Sequence, residues 1–182
     1  MPKVTKIEKA GKDYPQFGIK KGDTHYVWAI KMQRGGVVRR SKTYQRASQL
    51  TMSDYKVQAH QLNEQIEDFE SDGTIASVES FLDDLKSDAE ALRDEQQEKL
   101  DNMPEGLQQG TTGETIQERI DALEAFVSEL DGVDVPDFES EEPEDGDEPV
   151  EDEPPRNSDG ETEEDVAQTF LDEIKAITLD VN

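Results

Sequence analysis

Apolar and polar residues alternate along residues 25–32, which is the pattern of a β-strand with two different faces. Residues 33–36 end in two glycines, which adopt the positive φ angles of a tight hairpin turn without strain. Residues 37–42 are the predicted return strand, and residues 17–20 are a short strand before the hairpin. The pattern therefore predicts a small antiparallel meander that follows an irregular N-terminal arm.

From residue 53 the apolar residues recur every three or four positions, which is typical of amphipathic helices. Three helices are predicted, over residues 53–71, 74–100 and 111–131. Thr74 is suited to cap the second helix, and Thr111 with Glu114 has the spacing of a capping box for the third. The stripe of the second helix is heptad-like, and the short connections favour antiparallel, coiled-coil-like packing.

An acidic segment then interrupts the helical pattern. Residues 134–165 carry seventeen Asp or Glu, one Arg and five Pro. Such a segment repels itself and has little apolar surface to bury, so disorder is predicted. Helical periodicity resumes after it, with an apolar stripe of Val166, Phe170, Ile174 and Ile177. A helix on an acidic tether can dock on the bundle or on a partner protein, and these four residues are the predicted partner-binding residues.

These patterns predict an α+β fold in which a small antiparallel head precedes a helical, coiled-coil-like segment. The predicted domains are a basic β-rich head over residues 1–50, an acidic helical bundle or helical hairpin over residues 51–132, a disordered acidic linker over residues 133–165, and a C-terminal amphipathic helix over residues 166–182. The helical seams also suit self-association, but they do not fix the number of copies.

Charge divides the chain more sharply than the apolar pattern does. Residues 1–50 carry twelve Lys or Arg and three Asp or Glu, a net charge of +9. Residues 51–182 carry seven and forty-two, a net charge of −35. A basic head on a strongly acidic body indicates that the head binds a polyanion, whether from outside or from its own acidic tail.

Six cations in and after the hairpin are the predicted nucleic-acid-binding residues: Lys31, Arg34, Arg39, Arg40, Lys42 and Arg46. Cations bind phosphates, and flat rings such as those of Tyr26 and Trp28 stack on bases. The alternative for the apolar side chains is that Tyr26, Trp28, Ile30 and Met32 form the core of the head. The two interpretations are compatible if the rings lie inside and the cations lie on the surface.

Enzymatic function finds no support in the sequence. There is no cysteine, and the two histidines, His25 and His60, stand in no catalytic pattern. No phosphate-binding loop, nucleophile elbow, zinc-protease motif or EF-hand loop occurs. We therefore predict no catalytic residue, no cofactor and no metal. No apolar run approaches the roughly 18 residues of a membrane span, so a cytoplasmic protein is expected.

Three phrases of the sequence resemble small phage-encoded proteins of unknown function. They are KIEKAGKDYPQFGIKKGDTHYVWAIK, SQLT at residues 48–51 and TTGETIQERIDALE at residues 111–124. The resemblance implies a phage origin, a place in the host cytosol and no particular activity. A non-enzymatic nucleic-acid-binding or interaction protein is thus the leading hypothesis. The alternatives are an acidic, DNA-mimicking inhibitor of a host nucleic-acid enzyme or defence complex, and a virion or assembly component that contacts host or phage proteins.

Overall fold

The computed structural model describes residues 2–32, 35–139 and 154–181. The chain divides into two compact units: unit 1 runs up to residue 64 and includes Val181, and unit 2 covers residues 65–180. The division falls after residue 64, later than the head boundary predicted at residue 50. A three-stranded antiparallel sheet is followed by helices, so the predicted α+β class is confirmed.

The sheet of unit 1 has the strand order β1-β2-β3. Its strands are β1 (Thr5–Ile7), β2 (His25–Met32) and β3 (Gly35–Ser41). The predicted strand over residues 25–32 is confirmed, and β3 begins two residues before its predicted start. Met32 lies opposite Gly35, whose φ of 106° is accessible to glycine without strain. Gln33 and Arg34, between them, lie outside the described residues.

The prediction of the first strand at residues 17–20 is wrong. Pro15–Phe17 form a 3₁₀ turn, which an isolated bridge between Tyr14 and Ile19 encloses. Proline fixes φ near −65°, which suits the start of such a turn and does not extend the chain. The strand that completes the sheet is β1, which lies in the arm predicted to be irregular.

The core of unit 1 lies on one face of this sheet. Trp28 and Ile30 of β2 pack with Leu50, which ends a 3₁₀ turn over Ala47–Leu50, and Val4 packs against this cluster. Trp28 is only 5% exposed. The interpretation of Trp28 and Ile30 as core residues is therefore confirmed, whereas Tyr26 is half-buried and the side chain of Met32 lies outside the described part of the chain.

Five helices are described after the sheet. They are α1 (Asp54–Asp68), α2 (Ile75–Asp101), α3 (Glu105–Gln108), α4 (Thr111–Asp131) and α5 (Glu163–Ala176). The three long helices predicted from the apolar period correspond to α1, α2 and α4, and the short α3 was not predicted. Thr74 caps α2 as expected, because its hydroxyl oxygen accepts a hydrogen bond from the backbone N–H of Ser77 at 3.2 Å.

Unit 2 is built on an αα-hairpin of α2 and α4. Their buried seams have the predicted spacing of three and four residues, with Ile75, Val78, Leu82, Leu85, Ala89, Leu92 and Gln96 on α2 and Ile116, Ile120, Leu123, Phe126, Val127 and Leu130 on α4. Lys86 Nζ lies 3.0 Å from Asp131 Oδ1, which joins the middle of α2 to the end of α4. The seam is apolar except at Gln96, which has 0% exposure.

The start of α4 differs from the predicted capping box. The helix begins at Thr111, after Gly110, and no side chain caps it. The hydroxyl of Thr111 is therefore not used as a cap. A Cβ placed on Gly113 would lie 1.9 Å from the carbonyl oxygen of Gln108, so α3 and α4 approach each other closely at this glycine.

The disorder predicted for residues 133–165 is wrong for the described part of that segment. Residues 140–153 lie outside the described residues, but residues 154–162 are ordered and α5 begins at Glu163. Arg156 forms an isolated bridge with Thr162 and its Nη1 donates to the Gly160 carbonyl at 2.7 Å. These local hydrogen bonds order a stretch whose composition had predicted disorder through residue 165.

Helix α5 packs against α2 within unit 2. Phe170 and Ile174 are buried, and Val166 and Ile177 are half-buried. The backbone N–H of Ile75 donates to the Glu163 carboxylate at 3.3 Å. Of the two docking alternatives, the structure thus contains the one within the chain. A partner-binding role for these four side chains remains a prediction, and it would require this packing to open.

The capping box of α5 supplies a prediction on acid stability. Hydrogen bonds from the backbone N–H and then the hydroxyl of Thr162 hold the pKa of Asp165 below its usual value of 3.8. A carboxyl whose pKa falls on folding stabilises the fold above its unfolded pKa, and this contribution is lost as the pH falls through the folded pKa. We expect Asp165→Asn to lower the Tm at neutral pH and to approach wild type in acid, as measured by circular dichroism.

The matched control for this prediction is Asp172→Asn, which removes the same charge farther along α5. Asp172 accepts a hydrogen bond from the Gln168 side chain at 2.7 Å and takes no part in the cap. An equal loss of Tm in both variants would contradict the stabilising role of the Asp165 carboxylate. So would a difference in Tm between Asp165→Asn and wild type that persists below the folded pKa of Asp165.

Candidate functional site

The register of the hairpin decides where the predicted nucleic-acid-binding cations lie. Residues directly opposite each other in an antiparallel pair share a face of the sheet. Arg39 pairs with Trp28, so it belongs to the core-side face, whereas Arg40 pairs with Val27 on the other face. Lys31 pairs with Gly36 and shares the face of Arg40. The six predicted cations therefore do not form one surface.

Arg40 is engaged inside unit 1. Its guanidinium carbon lies 4.2 Å from the centroid of the Tyr14 ring, and its Nη1 lies 3.4 Å from Nε2 of His25. His25 is 1% exposed, and its Nδ1 lies 3.4 Å from the Asp23 carbonyl oxygen. A cation stacked on a ring and next to a buried histidine stabilises the loop that covers this face. Sequence reasoning missed this cluster because His25 and Tyr14 show no recognisable spacing.

Lys42 and Arg46 also have local partners. Lys42 Nζ lies 3.3 Å from Asp23 Oδ2, and the Lys20 backbone hydrogen bond together with Lys42 holds the pKa of Asp23 below its usual value. Arg46 precedes the Ala47–Leu50 turn, and its backbone N–H donates to Gln49 Oε1 at 3.3 Å. Arg34, the remaining predicted cation, lies outside the described residues.

Among the predicted cations that lie in the described ranges, Lys31 and Arg39 are the two without an ion pair or a ring contact there. Both are exposed, and neither forms an ion pair with another residue of the described ranges. A cation without a carboxylate partner is free to bind an external anion. These two residues lie on opposite faces of the hairpin, and the nucleic-acid-binding role of all six cations remains a prediction.

An exposed ring contacts Tyr26 on the core-side face of the sheet. Tyr44 is 67% exposed, and its ring meets that of Tyr26 edge-on at 5.4 Å with an interplanar angle of 88°. Lys6 of β1 pairs with Tyr26, and Arg39 lies in the next row of the same face. We call Lys6, Tyr26, Arg39 and Tyr44 the Tyr44 surface. Lys6 was not predicted as a site residue, because the strand that contains it, β1, was not predicted.

The two units have opposite charges. Unit 1, up to residue 64, carries thirteen Lys or Arg and five Asp or Glu, a net charge of +8. Unit 2, over residues 65–180, carries six and forty, a net charge of −34. The cationic hairpin thus lies in a unit whose own field attracts anions.

Other kinds of site find less support in the described part of the chain. No three His, Asp or Glu side chains there come close enough together to hold a metal ion. A groove in unit 2 is lined by polar and acidic residues of α3 and α4, among them Gln108, Glu114 and Asp121. No described helix combines the length and the apolar character needed to cross a membrane.

Comparison with known proteins adds no family to this picture. No family model matches the chain, and neither the curated proteins nor the solved structures include a significant match. The resemblance to phage-encoded proteins therefore stays a prediction.

Proposed function

We propose that this chain is a non-enzymatic nucleic-acid-binding protein of phage type, which uses the sheet of unit 1 as its interface. One observation carries the proposal: Lys31 and Arg39 are exposed and free of described carboxylate partners in a unit of net charge +8. Cations in that state bind phosphates and release the counterions around the nucleic acid. The acidic helical unit then serves assembly or recruitment.

The cations have different roles in this proposal, because their contacts differ. Lys31 and Arg39 bind phosphate, whereas Arg40 keeps its packing role against Tyr14 and His25. Replacing Arg39 and Arg40 together would confuse the two roles, because a loss of binding could then come from a disturbed fold. The informative variant therefore changes Lys31 and Arg39 and leaves Arg40 in place.

We expect Lys31→Ala with Arg39→Ala to weaken binding to a fluorescent oligonucleotide roughly tenfold at about 50 mM salt. Each lost phosphate contact lowers the slope of log K against log salt by about 0.7 to 0.9, so the double variant should lose about 1.4 to 1.8 from the slope. Fluorescence anisotropy titrations between about 50 and about 200 mM salt measure both quantities.

The matched control is Lys99→Ala with Lys175→Ala, which changes the net charge of the chain by the same amount. Both residues are exposed in unit 2, and Lys99 pairs with Glu95 on the surface of α2. We expect this variant to bind like wild type with an unchanged salt slope. Wild-type protein that binds no oligonucleotide at about 50 mM salt would end the proposal.

A further inference from the structure

We propose that the Tyr44 surface selects single-stranded nucleic acid by stacking a base on the ring of Tyr44. The inference rests on the proposed function and specifies its ligand. Within the described ranges, Tyr44 is the one aromatic side chain classed as exposed. The other aromatic residues of unit 1 are half-buried or buried, so this ring is unusual in leaving most of its surface to solvent.

The ring is exposed but its attachment is ordered. Gln45 is buried, and its side-chain amide donates to the carbonyl of Thr43 at 2.5 Å. The backbone N–H of Thr43 donates to the Ser41 hydroxyl at 3.2 Å. These bonds hold the backbone on both sides of Tyr44, while Tyr26 supports its ring edge-on. A ring held in this way loses little freedom when a base stacks on it.

Cations stand where a phosphate backbone would pass. Lys6 and Tyr26 are cross-strand neighbours, so their Cβ atoms are about 5 Å apart. Arg39 is one row farther along the same face, about 7 Å away along the strands. The ring of Tyr26, which Tyr44 contacts, therefore has a cation on each neighbouring strand. Rings that stand among cations are the arrangement with which proteins bind single strands without reading sequence.

The same geometry disfavours a duplex. Bases in a duplex are stacked and paired, so a protein ring reaches a base face only after the pair has been opened. Bases of a single strand are free to stack on aromatic side chains. A duplex would therefore contact the cations of the sheet but leave the Tyr44 ring unused.

The test compares two probes on the full-length protein: a fluorescent oligonucleotide of about 16 thymidines and the duplex that it forms with its complement. We expect wild-type protein to bind the single strand more tightly. Tyr44→Ala should weaken single-strand binding at least about fivefold and leave duplex binding unchanged, whereas Tyr44→Phe should retain wild-type affinity for both. Fluorescence anisotropy at about 50 mM salt reads the affinities.

A further variant separates the loss of stacking from the loss of the Tyr26 contact. Tyr44→Leu keeps an apolar side chain against Tyr26 without a stacking face, so it should lose single-strand affinity as Tyr44→Ala does while its circular dichroism stays that of wild type. Two outcomes overturn the inference and leave the proposed function intact. One is equal affinity of Tyr44→Ala and wild type for the single strand, and the other is equal affinity of wild-type protein for the single strand and the duplex. Absence of wild-type binding to either probe overturns both.

Discussion

Gly113→Ala is expected to destabilise unit 2 by about 1–3 kcal/mol or more, although alanine is the better helix former. The new Cβ would lie 1.9 Å from the carbonyl oxygen of Gln108 and 2.5 Å from its carbonyl carbon. Both atoms belong to the backbone, so no side-chain rotation relieves the clash. Helix propensity alone predicts the opposite sign, a gain of up to about 1 kcal/mol, so the direction of the change decides between the two effects.

The damage should extend beyond Gly113. The side-chain amide of Gln108 donates to the carbonyls of Leu100 and Met103, at 3.0 and 2.8 Å. These bonds satisfy acceptors at the C-terminal end of α2, where helical carbonyls lack partners within the helix. Moving the backbone of Gln108 away from Gly113 would strain both bonds and loosen the junction of α2, α3 and α4.

Gly106→Ala is the matched control, because it makes the same chemical change two residues before Gln108. A Cβ on Gly106 would meet no atom within 4 Å. We expect this variant to keep or slightly raise the wild-type Tm, and Gly113→Ala to lower it. Urea unfolding followed by circular dichroism gives the free energies, and a Gly113→Ala protein as stable as wild type would refute the steric argument.

Gln96→Leu is expected to stabilise unit 2 by about 2 kcal/mol. Gln96 occupies the last position of the α2 seam and has 0% exposure, and within the described ranges neither its amide nitrogen nor its amide oxygen has a hydrogen-bond partner. A buried polar group without a partner costs roughly 1–3 kcal/mol, and leucine has nearly the same size without that penalty. The urea midpoint should rise while the m-value stays constant.

Gln97→Leu serves as the comparison for this change, since it introduces the same side chain on the exposed side of α2. Gln97 donates to Asp101 Oδ1 at 2.8 Å on the helix surface. Its replacement should change the free energy of unfolding by less than about 0.5 kcal/mol. A destabilised Gln96→Leu protein would show that the amide is satisfied inside the seam after all.

The long helices were predictable from the sequence because their burial is periodic. The seam of α2 repeats at three and four residues from Ile75 to Gln96, and this spacing is visible without any tertiary information. The three residues of β1 carry no such signal, since they are a strand only because β2 pairs with them. The predicted bounds of α4 agree with the structure, and only its capping box was wrong, because Gly110 and not Thr111 occupies the N-cap position.

The candidate site was predictable as a set of charges but not as a surface. Composition located the cations in the first fifty residues, yet neighbours in sequence such as Arg39 and Arg40 point to opposite faces of a strand. Which of them stays free depends on partners far along the chain, such as Tyr14 for Arg40. The position of the exposed Tyr44 ring likewise depends on contacts of Gln45 and Tyr26. No residue pattern predicts these contacts.

Strand β3 has a further consequence for the behaviour of the protein at high concentration. It ends the strand order, and in the described part of the chain no other strand pairs with its outer side. An unpaired strand edge is a template for another chain, and exposed Val37 and Val38 add apolar surface to it. Charged side chains oppose such pairing, so Arg39 is expected to protect this edge against aggregation. If Arg39 also binds phosphate, as proposed, then nucleic acid would neutralise the charge that keeps this edge unpaired.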